Sequence, residues 1–258
     1  VTTDLSWHPQ ARLIREPTLG LTPARLRGIA EARGALLVFV DDDNLLDPAY
    51  LAATVAIFVA HPALAAAGGP VRADWETPPP AWSAPFHGLL ALRDIGLSPR
   101  IAAGGSNALW PDFAPVGAGL VVRRSAALAY AEALATDPRR RTLDRTGGSL
   151  ASGGDNDLVF TALHAGGDIG YFPELALTHL IPAGRLDPAY LARLNRGIMR
   201  TWVRVLALHA GVATRARAAV AGHGANCGAA RPDDQPALLP SAESMSLADF
   251  FGIVTPRG

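Results

Sequence analysis

The stretch LVFVDDDNLLDP, Leu37 to Pro48, sets an apolar run directly before three adjacent carboxylates, and Asp47 follows them. A short continuous apolar run bounded by polar residues reads as a strand buried on both faces, as parallel strands are when helices cover each side. Working outward, Thr22-Pro23 supplies an N-cap followed by proline at the first helical position, and the helix continues from Ala24 to Arg33, where Gly34 ends it. ARLIRE, Ala11 to Glu16, reads as a short strand ahead of that helix. Asp47-Pro48 opens a second helix over Ala49 to Ala60, and Ala65 to Arg72 reads as a further strand. Strands alternating with helices predict an α/β sheet.

The second half continues the pattern. Val116 to Arg124 reads as a strand, with Ser125 placed to cap a helix reaching Ala135. Asn156 to Ala165 reads as a helix, Asp168 to Phe172 and Leu175 to Leu180 as strands, and Asp187-Pro188 as the start of a long helix to about His209. The Pro- and Trp-rich region Asp74 to Trp110 lacks periodicity and is expected to wrap the surface, and the basic stretch Asp137 to Gly148 is expected to be exposed. The organisation predicted is a domain over residues 1–210 and an irregular tail over 211–258.

Composition narrows the function. The 258 residues are 49% hydrophobic and 18% charged, enough for one sizeable core. Formal charge is zero, with 23 basic and 23 acidic residues, so no global field favours nucleic acid and none is expected as a partner. A single cysteine, Cys227, excludes an intramolecular disulfide and argues against a thiolate zinc site. The most apolar segment, Leu51 to Ala67, is broken by His61-Pro62 before it reaches spanning length.

Ligands of open α/β sheets bind beyond the carboxyl ends of strands, which is where Asp41 to Asn44 fall. Carboxylate oxygens crowded there suit Mg²⁺ or Mn²⁺ with a phosphorylated ligand. An EF-hand loop fits poorly because Leu46 occupies the position that needs glycine. A P-loop is missing and the chain has no lysine, so phosphate charge would fall to a metal, with help from arginine. For Asp47 a helix cap is the preferred reading.

The segment REPTLGLTPARLRGIAEARGALLVFVDDDNLLDPAYL, from Arg15, resembles the nucleotide-binding half of inverting family 2 glycosyltransferases of the GT-A fold. VGAGLVVRRSAAL from Val116, SGGDNDLVFTALHAGGDIGYFPELALTHLIPAGR from Ser152, and RLNRGIMRTWVRVL in the long helix follow in the family's order. The resemblance covers roughly Arg12 to Leu208. It implies a GT-A-like three-layer α/β sandwich with a mainly parallel sheet and a long C-terminal amphipathic helix. The family's usual two opening strand-helix units are expected to be lacking here.

The resemblance also implies roles. Asp41 and Asp43 match the first and last acids of the family's DXD motif, on the ribose side and at the metal respectively. Arg25 falls on an arginine near the nucleotide, with Leu26 where asparagine is usual. Asp155 matches the catalytic base, with Gly154 where many members carry Glu. His179 aligns with a histidine near metal and diphosphate, and Val116 to Gly119 with the acceptor border, making Gly117, Ala118 and Gly119 candidates for acceptor binding. Asp157 is a further acceptor-side candidate.

Each has a plainer reading. Asp155 can cap the helix at Asn156 and Asp157 can complement its dipole. His179 can be a hydrogen-bonded structural residue, and Trp82 and Trp110 can be packing anchors as readily as sugar platforms. The expected activity is transfer of a sugar, with inversion, from a nucleotide-diphosphate donor to a glycan or lipid-linked acceptor, dependent on a divalent metal. Nucleotidyl transfer on the same acids and a truncated, non-catalytic carbohydrate- or partner-binding remnant are the alternatives. In the long helix, Leu191, Leu194, Ile198, Trp202 and Val205 form one face, and Arg193, Arg196, Arg200 and Arg204 a roughly opposite one. A solvated basic face is the plainer reading of those arginines; peripheral contact with an anionic membrane is the functional one, for a cytoplasmic protein at the inner face of the membrane.

Overall fold

The computed structural model describes residues 8–223. The first half contains α1 (Leu21–Glu31), β1 (Leu36–Phe39), β2 (Asn44–Leu46), α2 (Tyr50–Ala60), β3 (Leu64–Gly68), β4 (Val71–Trp75) and β5 (Arg100–Ala102). After these come β6 (Leu120–Arg123), α3 (Arg124–Thr136), α4 (Gly154–His164), β7 (Asp168–Tyr171), β8 (Leu177–Ile181) and α5 (Pro188–His223).

Five strands form a sheet in the order β1-β6-β3-β7-β5, and three form a second sheet in the order β2-β8-β4. The period-two alternation of β6 shows how the large sheet is covered. Leu120 and Val122 join Tyr130, Leu134, Leu158 and Leu163 of α3 and α4 on one face. Val121 meets Tyr50 and Phe58 of α2 on the other. The expected three-layer α/β sandwich is therefore present.

The sheet is mixed rather than mainly parallel. Among the described residues only β3 with β7 and β4 with β8 run parallel, while β1 with β6, β6 with β3, β5 with β7 and β2 with β8 run antiparallel. The alternation of strands and helices suggested parallel crossovers, but β6 inserts between β1 and β3 and reverses both pairings.

Other boundaries moved for local reasons. Ala11 to Glu16 is not a strand. The apolar run after Ala65 divides at Gly69-Pro70 into β3 of the large sheet and β4 of the small one. A Cβ on Gly69 would stand 2.3 Å from the Leu175 carbonyl oxygen and 2.5 Å from that of Phe172, so only glycine passes this crossing. The Asp74 to Trp110 region contains a 3-10 segment, Ala81–Leu90, whose Leu89 and Leu90 pack against Ile181 and Leu191.

The stretch Asp137 to Gly148, expected to be exposed, buries Arg140, Leu143 and Asp144. α5 begins as expected, with the Asp187 carboxylate accepting the Tyr190 amide at 2.7 Å. Leu191, Leu194 and Val205 are buried along the predicted face. The helix continues through Gly211 to His223, and the remainder of the tail, with Cys227, lies outside the described residues. Among the described residues no helix is long and apolar enough to cross a membrane.

Candidate active site

The acids after β1 lie where the chain leaves the large sheet for the small one. Asn44 of β2 pairs in register with His179 of β8, which brings Asp43 beside that imidazole. The Asp43 Oδ1 accepts from Asn44 Nδ2 at 2.9 Å, and its Oδ2 stands 3.2 Å from His179 Nε2 and 3.7 Å from an Arg185 guanidinium nitrogen. On its other side, the His179 Nδ1 faces the Leu90 carbonyl oxygen at 3.0 Å. A carbonyl only accepts, so Nδ1 carries a proton, and Nε2 is the nitrogen that faces the carboxylate. The contact can be bridged by a proton on Nε2 or, in its place, by a cation ligated by both side chains. A backbone carbonyl fixing the far nitrogen is also how ligating histidines are commonly oriented.

These donors fit a divalent metal held jointly by Asp43, His179 and a phosphorylated ligand. Among the described residues no group of three or more His, Cys, Asp or Glu side chains is arranged to hold a metal alone, so phosphate oxygens and water would complete the shell.

Asp41 is exposed at the rim, yet its carboxyl is pushed above its ordinary range by loss of surrounding water and by the nearby Asp43, with Asp155 adding to the effect; Arg25 and Arg145 oppose it. Asp155 is therefore close enough to the DDD segment for its charge to act on Asp41.

The Asp155 Oδ2 accepts the Gly117 amide at 2.8 Å, and a Cβ on Gly117 would stand 2.9 Å from that oxygen. Gly117 thus permits the approach that fixes the carboxylate. Burial pushes the Asp155 carboxyl up; Arg25 pulls it down, Asp144 pushes it further up, and the Asn156 and Gly117 amides favour its ionised form. The net direction is upward, toward the range where a carboxylate exchanges protons near neutrality.

Arg25 sits behind the cleft rather than in it. Its guanidinium is buried, donates to Asp144 Oδ2 at 2.6 Å and lies 5.8 Å from the centroid of the Phe39 ring. Asp144 also accepts from the Thr22 hydroxyl at 2.9 Å and from the Gly154 amide at 3.0 Å. One carboxylate therefore ties α1 to the first turn of α4, from which Asp155 projects.

The acceptor-side candidates separate. Gly117 borders Asp155, whereas Ala118 is packed with Val71 and Leu177. Gly119 has φ +70° and accepts the Tyr50 hydroxyl at its carbonyl, and a Cβ there would stand 2.4 Å from Leu177 Cδ2. Its glycine is required by backbone conformation and packing. Asp157 is fully buried and is not brought to the cleft: its Oδ1 pairs with Arg140 Nη1 and with His209 Nε2 at 2.8 Å. Trp110 packs on Phe160 and Trp202, with centroids 4.5 and 5.3 Å away, and serves as an anchor between α4 and α5. Trp82 remains 46% exposed. Asp47 accepts the Ala49 amide at 3.0 Å in a turn just before α2.

Sequence reasoning missed Asn44, Asp144, Arg145 and Arg185. Arg185 lies in the quoted IPAGR segment, and its position after the His179 strand was a usable signal. Asp144 was hidden as one acid among the arginines of RRRTLDR.

The model of the family described as Glycosyl transferase family 2 matches residues 3–127, which include α1, the DDD segment and β6. The match assigns that stretch, 125 residues and just under half of the chain, to glycosyl transferase family 2. The family match ends before Asp155 and His179, whose placement rests on the geometry above. A search among curated proteins gives no match. Among solved structures, one similar to this chain is described as the crystal structure of GalNAc-T7 with UDP, GalNAc and Mn²⁺. It has 16% identity and a TM-score of 0.48, over 78% of this chain; this chain spans 38% of that one.

Proposed function

We propose that this protein transfers a sugar from a nucleotide-diphosphate donor to an acceptor hydroxyl with inversion, using Asp155 as general base. The observation that supports this reading is the nearness of Asp155 to Asp41, whose carboxyl it helps to push up, with Asp43 of the Asp43–His179 pair two residues further along the chain.

In this reading the acceptor oxygen attacks the anomeric carbon, its proton passes to Asp155, and the bond from that carbon to the diphosphate oxygen breaks with its electron pair on the leaving group. The Gly117 amide holds one carboxylate oxygen in place, leaving the other to take the proton. Arg185 beside Asp43 complements the negative charge that develops on the diphosphate. Asp41 receives the nucleoside side of the donor, and Arg25 organises the carboxylates from behind. A bound Mg²⁺ or Mn²⁺, held by Asp43 and His179, would supply Lewis-acid stabilisation of that leaving group. Gly117 forms the acceptor border, with a glycan or lipid-linked hydroxyl as the acceptor class.

The test is product analysis with a panel of nucleotide sugars and Mn²⁺. Release of nucleoside diphosphate, lost in Asp155→Asn, supports the proposal. Release of pyrophosphate would reassign the site to nucleotidyl transfer, and a donor panel bound without turnover would make the chain a binding module.

A further inference from the structure

A pocket of about 360 Å³ lies between the segment Gly148 to Ala151 and α5, with neither Asp43 nor His179 in its lining. Arg193, Arg196, Arg200 and Arg204 line it. All four are exposed, and among the described residues none of them forms an ion pair. No compensation comes from the helix itself, because the sequence Pro188 to His223 contains no Asp or Glu. Like charges four residues apart, as in Arg196/Arg200 and Arg200/Arg204, disfavour a helix. A basic face that is merely solvated is usually laced with acids; this one has none and lines a concavity.

The pocket wall is rigid where it meets the site. Gly197 of α5 lies so close to the loop that a Cβ would stand 2.3 Å from the Leu150 carbonyl oxygen. Thr201 takes the Ser152 amide on its hydroxyl at 3.3 Å, and a Cβ on Gly153 would stand 2.8 Å from Thr201 Cγ2. The helix carrying the arginines is thus seated directly on the turn that leads into Asp155. Ala151, on the pocket rim, precedes Asp155 by four residues, a chain path of at most about 14 Å. Guanidinium forks match phosphate oxygens bidentately, which an ammonium cannot do.

From these contacts we infer that the pocket binds the phosphate or diphosphate group of a phosphorylated acceptor, placing its hydroxyl end toward Asp155. The inference rests on the glycosyl-transfer reading and gives that reading an acceptor class. The phosphate belongs either to a soluble sugar phosphate or to a lipid-linked one at a membrane surface.

The experiment measures binding of inorganic pyrophosphate by calorimetry in the presence of EDTA, where the Asp43–His179 pair has no metal with which to engage it. Wild-type protein is expected to bind pyrophosphate, and Arg196→Gln/Arg200→Gln to bind it at least tenfold more weakly. Arg139→Gln, which alters an exposed arginine elsewhere, is expected to leave the affinity unchanged. Equal affinity in wild type and the double variant, or no binding by wild type, would overturn the inference.

Co-sedimentation with phosphatidylcholine vesicles, with and without phosphatidylglycerol, separates the sources. Binding to the anionic vesicles that pyrophosphate displaces assigns a lipid phosphate, and pyrophosphate binding without vesicle binding assigns a soluble one; both support the pocket. Stabilisation by nucleoside diphosphates with Mn²⁺ reads the other site and is kept in the double variant. Its absence from wild type that still binds pyrophosphate overturns the donor reading alone.

Discussion

The carboxylate of Asp144 stands in the space that a side chain on Gly154 would need: a Cβ there would lie 2.1 Å from Asp144 Oδ2. Asp144 cannot withdraw, because Arg25, Thr22 and the Gly154 amide all hold it. Gly154→Ala is therefore expected to lower stability by about 1–3 kcal/mol, the usual range for overpacking, read as a shift in the urea midpoint. The same substitution displaces the first turn of α4 and lowers turnover. Asp144→Ala is expected to cost more, about 3–5 kcal/mol, because it leaves the buried Arg25 cation without its partner.

A base must be ionised, and the carboxyl of Asp155, proposed above for that role, is pushed above the ordinary aspartate range. Activity is therefore expected to fall as pH drops through that raised value, with the acid limb of kcat/KM lying above the usual carboxylate range. Asp155→Asn should remove the limb and lower kcat by about 10²–10⁴-fold. For stability the sign is opposite to that of a salt-bridged acid. A raised folded-state value gives a contribution present below the unfolded value and lost as pH rises through the folded one. Asp155→Asn should then be at least as stable as wild type at neutral pH in urea unfolding.

Chelation is expected to abolish transfer, and Mn²⁺ or Mg²⁺ to restore it. His179→Gln should raise the metal concentration needed for half-maximal rate by about 10–100-fold, and Asp43→Asn should weaken both metal and donor. Titrating the metal at saturating donor checks both.

Asp157 is expected to report on stability rather than acceptor affinity. Its Oδ1 neutralises the buried Arg140 and engages His209, while its Oδ2 has no partner. Asp157→Asn should cost about 3–5 kcal/mol, as breaking a buried ion pair does, with acceptor KM unchanged in the folded fraction.

The sequence made legible what local periodicity and short motifs encode: the β1 strand, the acids after it, the helix at Pro188, and the split of α5 into apolar and basic faces. It hid what depends on which strands meet. Antiparallel insertion of β6 beside β1 leaves no mark in either segment. His179 was legible as a histidine on a strand; its facing of Asp43 comes from the register of β2 on β8. Asp144 and Asp157 reversed expectation for one reason. Their partners, Arg25, Arg140 and His209, are remote in sequence, and a charged residue looks solvent-facing until its counter-ion is seen.

Gly69 lies outside the catalytic cleft, yet it governs the cleft's dimensions. The chain crosses there from the sheet whose covering helix carries Asp155 to the sheet that carries His179, against two carbonyl oxygens with no room for a methyl group. Any side chain at this crossing would wedge the two sheets apart and alter the spacing between Asp155 and His179. Gly69 is thus the molecule's spacing gauge. Substitutions there would degrade turnover while every cleft side chain remained intact, a lesion that a scan confined to the cleft would overlook.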